Sequence, residues 1–167
     1  GETALQRGNL DIAVSRYVKL AKTTRDPRIA KRATEIALHA GNPFAAEQAA
    51  TMWIELEPDS MDARQTIAAL LVNMGKLDAA RPHLEKLLAS EKNSVANAFM
   101  QLNQLLSRNT DKVSTLLLIQ QLSQPYKDVP EVHFAISQAA WFANQHPLAA
   151  EEMQRALTLR PGWEIAA

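Results

Sequence analysis

Cysteine is absent from the chain. That excludes a disulfide framework, a thiolate metal site and a cysteine nucleophile, and it fits cytosol and periplasm alike. Glycine is scarce, with five in 167 residues and no GxGxxG or GxxxxGK pattern among them. The backbone cradles that hold phosphates in nucleotide sites are therefore missing. Neither charge is in excess: eighteen Lys and Arg face eighteen Asp and Glu, for a formal net charge of +0. A nucleic-acid binder needs a basic footprint, so none is expected here. Long apolar runs are lacking too, and a stretch such as Thr115 to Ile119 falls far short of the ~20 residues that span a bilayer.

Four histidines, His39, His83, His133 and His146, have no spacing that would set two of them on one helix face. No metal site, no cofactor and no catalytic base with its nucleophile are expected from them. Nothing in the sequence marks an enzyme.

What the chain does have is a repeat. Gly8, Gly41, Gly75, Asn109 and Asn144 follow one another at spacings of 33, 34, 34 and 35 residues. Glycine and asparagine most readily take the left-handed conformation that ends a helix, so all five are read as structural turns. Five residues after each mark stands a small residue: Ala13, Ala46, Ala80, Ser114 and Ala149. Four further on comes a larger apolar residue in most copies, Tyr17, Leu84, Leu118 and Met153, with Ala50 as the exception. Pro58 and Pro161 stand seventeen residues after their marks, Pro27 and Pro125 lie close to that place, and Lys92 replaces proline in the third repeat.

Between the marks the spacing is helical, as in Ile67, Leu70, Leu71 and Met74, or Leu102, Leu105 and Leu106. Asp26-Pro27 and Asn42-Pro43 each set a capping side chain before a proline at a first helical position. Pro82 is expected in or just past the first turn of its helix, where a missing N–H costs little. The pattern opens in mid-course at GETALQRG and stops in mid-course at RPGWEIAA, so a piece of a longer protein is expected, with any targeting signal outside it.

Helix pairs on a 34-residue period, with Ala and then a bulky apolar residue four places on, resemble the tetratricopeptide repeat (TPR). The front half of that family's signature departs from the pattern. Arg64, Ile67-Ala68 and Leu71, or His133, Ile136-Ser137 and Ala140, stand where the family has Trp, Leu-Gly and Tyr. The resemblance implies an all-α fold, a right-handed superhelix or solenoid of about five helix-turn-helix repeats. Their expected bounds are residues 1–26, 27–59, 60–93, 94–128 and 129–162. It also implies a non-catalytic scaffold whose first helices line a concave wall that holds a peptide or a partner protein.

On that register the second repeat offers Arg28, Lys31, Arg32, Glu35 and His39 on one helical face. Residues 1–40 hold eight basic and four acidic side chains, so a basic patch for an acidic side chain or a terminal carboxylate is expected there. The third repeat offers Asp62, Gln65, Thr66 and Asn73 as hydrogen-bonding groups. The fourth and fifth offer Phe99, Met100, Phe134, Trp141 and Phe142, with Asn103 and Gln138, as an apolar half of the groove. Glu35 and Thr66 break the Lys-Asn pattern of chaperone-tail clamps, so no chaperone tail is expected. Trp53, among Ala49, Ala50 and Leu56, reads as a space-filling residue, and Trp163 as one left exposed after Pro161-Gly162.

A narrower resemblance lies in YVKLAKTTRDPRIAKRATEIAL followed by WIELEP, which is similar to the front part of large Gram-negative TPR lipoproteins. It implies a periplasmic protein anchored at the outer membrane by a lipid outside this segment, with a protease or an envelope-assembly component as partner; a cytoplasmic location is the alternative. Two other functions compete with peptide capture. A structural or self-associating spacer would show concentration-dependent association, and a helical-repeat RNA binder would need basic stripes in every repeat, where only the second is basic.

Overall fold

The structure, a computed structural model, describes residues 4–90 and 95–163. Lys92 lies outside the described residues. Among them there are nine α-helices, one short 3-10 turn and no strand. The chain divides into two compact units, Gly1–Met74 and Gly75–Ala167.

The first unit holds α1 (Ala4–Thr24), α2 (Pro27–His39), α3 (Pro43–Leu56) and α4 (Met61–Asn73). Its core is built largely from alanine: Ala21, Ala30, Ala33, Ala37, Ala46, Ala49, Ala50, Ala63 and Ala68 are all buried. Small side chains let helix backbones approach closely, and Trp53 fills the space that remains. Its indole is buried, donates from Nε1 to Glu57 Oε2 at 2.9 Å, and lies 5.6 Å beneath the Lys31 ammonium.

The starts of α2, α3 and α4 each use a side-chain cap. Asp26, Asn42 and Ser60 accept from the backbone N–H groups of Arg28, Ala45 and Ala63, which lack a partner within their own helices. The stop after α2 is equally local. Gly41 has φ +69°, its N–H donates to Leu38, and the next N–H, of Asn42, donates back to Ala37. This pair of bonds satisfies the last carbonyls of the helix and requires the left-handed residue between.

Gly8 is not a turn. The helix α1 runs through it from Ala4 to Thr24, so residues 1–26 hold one described helix rather than a pair. A single glycine costs a helix only about 1 kcal/mol, which twenty flanking helical residues offset. The helix ends instead at Arg25, in the left-handed region with φ 50° and its N–H donating to Ala21.

The second unit holds α5 (Leu77–Ser90), α6 (Val95–Leu106), α7 (Lys112–Ser123), the 3-10 turn Gln124–Tyr126, α8 (Pro130–Phe142) and α9 (His146–Leu159). Larger residues make this core: Leu84, Leu88, Phe99, Leu106, Leu116, Ile119, Leu122 and Val132 are buried. Phe99 meets Tyr126 edge to face, with ring centroids 5.8 Å apart. Pro82 is the sixth residue of α5, past its first turn, so it does remove a hydrogen bond, the one toward Asp78; both residues are exposed to water.

Two of the remaining turns differ in mechanism. Asn144 has φ 61° and repeats the Gly41 arrangement, with its N–H on Trp141 and that of Gln145 on Ala140. Asn109 stays out of the left-handed region. Its side chain accepts from the Asp111 N–H at 2.9 Å, so the link from α6 to α7 is held by an asparagine turn.

The residues that replace the family's tryptophan share one device. Arg64 donates to the carbonyl of Pro58 at 2.7 Å, and His133 Nε2 lies 2.6 Å from the carbonyl of Lys127. In both cases a buried polar side chain reaches six residues back and fastens the preceding turn.

Candidate partner-binding site

Within the second unit, α6 and α8 lie side by side. Asn103 on α6 spends both amide hydrogens across this junction, on the Ala135 carbonyl at 3.2 Å and on Gln138 Oε1 at 2.8 Å. The Ala135 oxygen can only accept, which fixes the Asn103 amide with its nitrogen toward α8. The two half-buried amides border a cleft of about 260 Å³. Apolar atoms of Met100, Leu106, Ala139 and Phe142 line it beside them, together with Gln104, Ser107, Lys112 and Thr115. Phe142 is 63% exposed, and Trp141 next to it is 59% exposed, its ring against His146 with centroids 4.3 Å apart.

Four of the residues expected on the apolar stripe are thus brought to one cleft: Met100, Asn103, Gln138 and Phe142. Phe99 and Phe134 lie elsewhere. Phe99 is fully buried beside Tyr126, and the buried Phe134 ring meets Trp163 at a 57° tilt with centroids 5.5 Å apart. Trp163 is therefore half covered rather than left bare, with Arg160 4.8 Å from its ring.

Lys112 escaped the sequence reading because it opens a second helix, whose residues the register turns outward. Its ammonium nevertheless donates to the Ser107 carbonyl at 2.8 Å and lies 5.8 Å from the Phe142 ring.

In the first unit every cation of the expected basic patch has an acid beside it. Arg28 forks onto Asp26, with contacts of 3.2 and 2.8 Å. Lys31 reaches Asp62 on α4 at 3.1 Å, and Arg32 reaches Glu35 at 3.3 Å. The hydrogen bonds from Arg28 hold the Asp26 carboxyl below its ordinary range, and the bond that Lys31 donates to Asp62 raises the Lys31 ammonium. His39, Gln65 and Asn73 are exposed on the same helices.

A second polar cluster joins α8 to α9. His133 Nδ1 lies 2.7 Å from Glu152 Oε2, and Arg155 donates to both Glu152 and Glu151. Both ring nitrogens of His133 are engaged, so it has none to offer a ligand.

Over 87 residues, 52% of its length, the chain is 37% identical to a TPR repeat-containing protein of Pseudomonas aeruginosa. It spans 15% of that relative's length. No family model matches it. Among solved structures it is similar to the MamA protein at TM-score 0.53 and 16% identity, over 91% of this chain and 83% of the other. To MamA from residue 41 onward, from Desulfovibrio magneticus, the values are 0.52 and 18%, over 96% and 90%. YrrB, a TPR protein with an unusual peptide-binding site, gives 0.52 and 14%, over 95% and 82%. The fold is that of the tetratricopeptide repeat. Among the described residues no helix is long and apolar enough to cross a membrane.

Proposed function

We propose that this chain is a non-catalytic TPR adaptor that captures a peptide or a segment of a partner protein on the α6–α8 face of its second unit. One observation carries the reading: two side-chain amides joined across neighbouring first helices border a cleft flanked by Met100 and a largely exposed Phe142. Large exposed residues of this kind are favoured as binding anchors. The same fold in YrrB accompanies a peptide-binding site, which supports the class of ligand.

The test compares protein capture by the native chain, by Met100→Ala with Phe142→Ala, and by Arg28→Glu with Lys31→Glu and Arg32→Glu. Loss of the captured set in the first variant with retention in the second supports the cleft. The opposite pattern moves the site to α2. A rise in mass with concentration in light scattering, abolished by Trp141→Ala with Phe142→Ala, would instead assign these aromatics to self-association. A periplasmic location, with a lipid anchor outside this segment, belongs to the same proposal; cell fractionation tests it.

A further inference from the structure

Resting on that reading, we infer that the cleft recognises an extended segment carrying one large apolar side chain next to a carboxylate. Three features of the lining set this chemistry. The volume, about 260 Å³, lies below the ~300–1,000 Å³ of sites that enclose a whole small molecule. It suits a single side chain entering between Met100 and Phe142.

The polar groups are those a peptide backbone needs. Asn103 has spent both N–H groups, so its Oδ1 remains as an acceptor. Gln138 has spent Oε1 as an acceptor, so its Nε2 remains as a donor. Neither atom has a protein partner among the described residues, and neither is sealed from water. One acceptor and one donor on adjoining amides complement the N–H and C=O of a backbone in extended conformation.

The charge is one-sided. Lys112 is the one charged residue lining the cleft among the described residues, and no carboxylate lines it. One ammonium hydrogen is used by the Ser107 carbonyl, which leaves two. The paired cations of α2 each have an acid partner, and Lys112 has none among the described residues. A single ammonium carries one positive charge, which one carboxylate balances and a phosphomonoester of about −1.5 to −2 exceeds.

The experiment is selection of a random dodecapeptide phage library on the whole chain, followed by affinity measurement on selected peptides made synthetically. The expected consensus pairs one Leu, Ile, Met or Phe with an Asp or Glu within two positions. Lys112→Gln then weakens binding about fivefold and removes the salt dependence, the size of ~1 kcal/mol for a half-exposed ion pair. Phe142→Ala weakens binding of every selected peptide whatever its charge. A consensus without acids, or affinity unchanged in Lys112→Gln, overturns the carboxylate while leaving the cleft in place. Affinity unchanged in Phe142→Ala and in Gln138→Ala overturns the cleft itself, and with it the reading above. Failure of the library to enrich any peptide overturns both. Phe142 and Gln138 are not fully buried, so both variants should keep the fold, which circular dichroism of each checks.

Discussion

His133 and Glu152 face each other across α8 and α9, with Nδ1 2.7 Å from Oε2 and side-chain exposures of 8% and 6%. Removing one member leaves a buried polar atom of the other without this partner, although Arg155 still donates to Glu152 and His133 still meets the Lys127 carbonyl. We predict that His133→Leu costs about 1–3 kcal/mol of folding stability, the size of a buried hydrogen bond lost with one partner left unpaired. Replacing both residues by leucine costs less than the sum of the two single leucine changes, because neither buried polar group is then left facing an apolar side chain. Urea denaturation of the four proteins of this cycle measures the coupling.

Glycines 8 and 41 should respond in opposite directions. Gly41 sits at φ +69°, where a β-branched side chain is strained, so Gly41→Val should cost ~1–2 kcal/mol. Gly8 lies inside α1 with nothing within 4 Å of an added methyl group, so Gly8→Ala should stabilise by ~0.5–1 kcal/mol. Thermal melts of the two variants test whether Gly8 lies inside a continuous α1 and Gly41 at a turn.

Asn103 holds α6 to α8 through two donated hydrogen bonds. Asn103→Ala should cost ~1–2 kcal/mol. Asn103→Asp should cost more, because a carboxylate would then face the obligate acceptor Ala135 O. If the two variants unfold at the same denaturant concentration, the assigned orientation of this amide is wrong.

Asp26 and Asp111 are held below the ordinary carboxylate range, the first mainly by the side chain of Arg28 and the second mainly by the hydroxyl of Ser114. A depressed folded value means that stability from these groups is present above the unfolded range near ~3.9 and disappears as pH falls through the folded value. Asp26→Asn and Asp111→Asn keep a capping oxygen and lose the titration. The native chain should therefore be the more stable at about pH 7, with the gap narrowing as pH falls below the unfolded range and through the folded value. Denaturant midpoints across that range provide the check.

Much of the fold was legible because it depends on local chemistry. A cap followed by proline marks a helix start, and a glycine or asparagine in the left-handed region marks a stop; both act within a few residues. Arg25 escaped notice for the same reason, since nothing in an arginine side chain announces a positive φ. Gly8 misled because period and residue type agreed while the surrounding helix overrode them. The site was less legible. Lys31 meets Asp62 and Lys112 meets Phe142 across 31 and 30 residues, so which cation is neutralised and which faces a cleft depends on packing. Helical register could place Phe99 and Met100 on neighbouring faces, yet tertiary packing, the edge contact with Tyr126 included, decides that the first is buried.

The indole of Trp53, sealed among alanines and tied to Glu57, has an experimental use. Of the three tryptophans, it alone belongs to Gly1–Met74, while Trp141 and Trp163 belong to the other unit. With Trp141→Phe and Trp163→Phe in place, fluorescence would report on the first unit alone. The converse variant, Trp53→Phe, would report on the second. The chain thus carries its own two-channel dye set, from which one melting step or two can be read without a label.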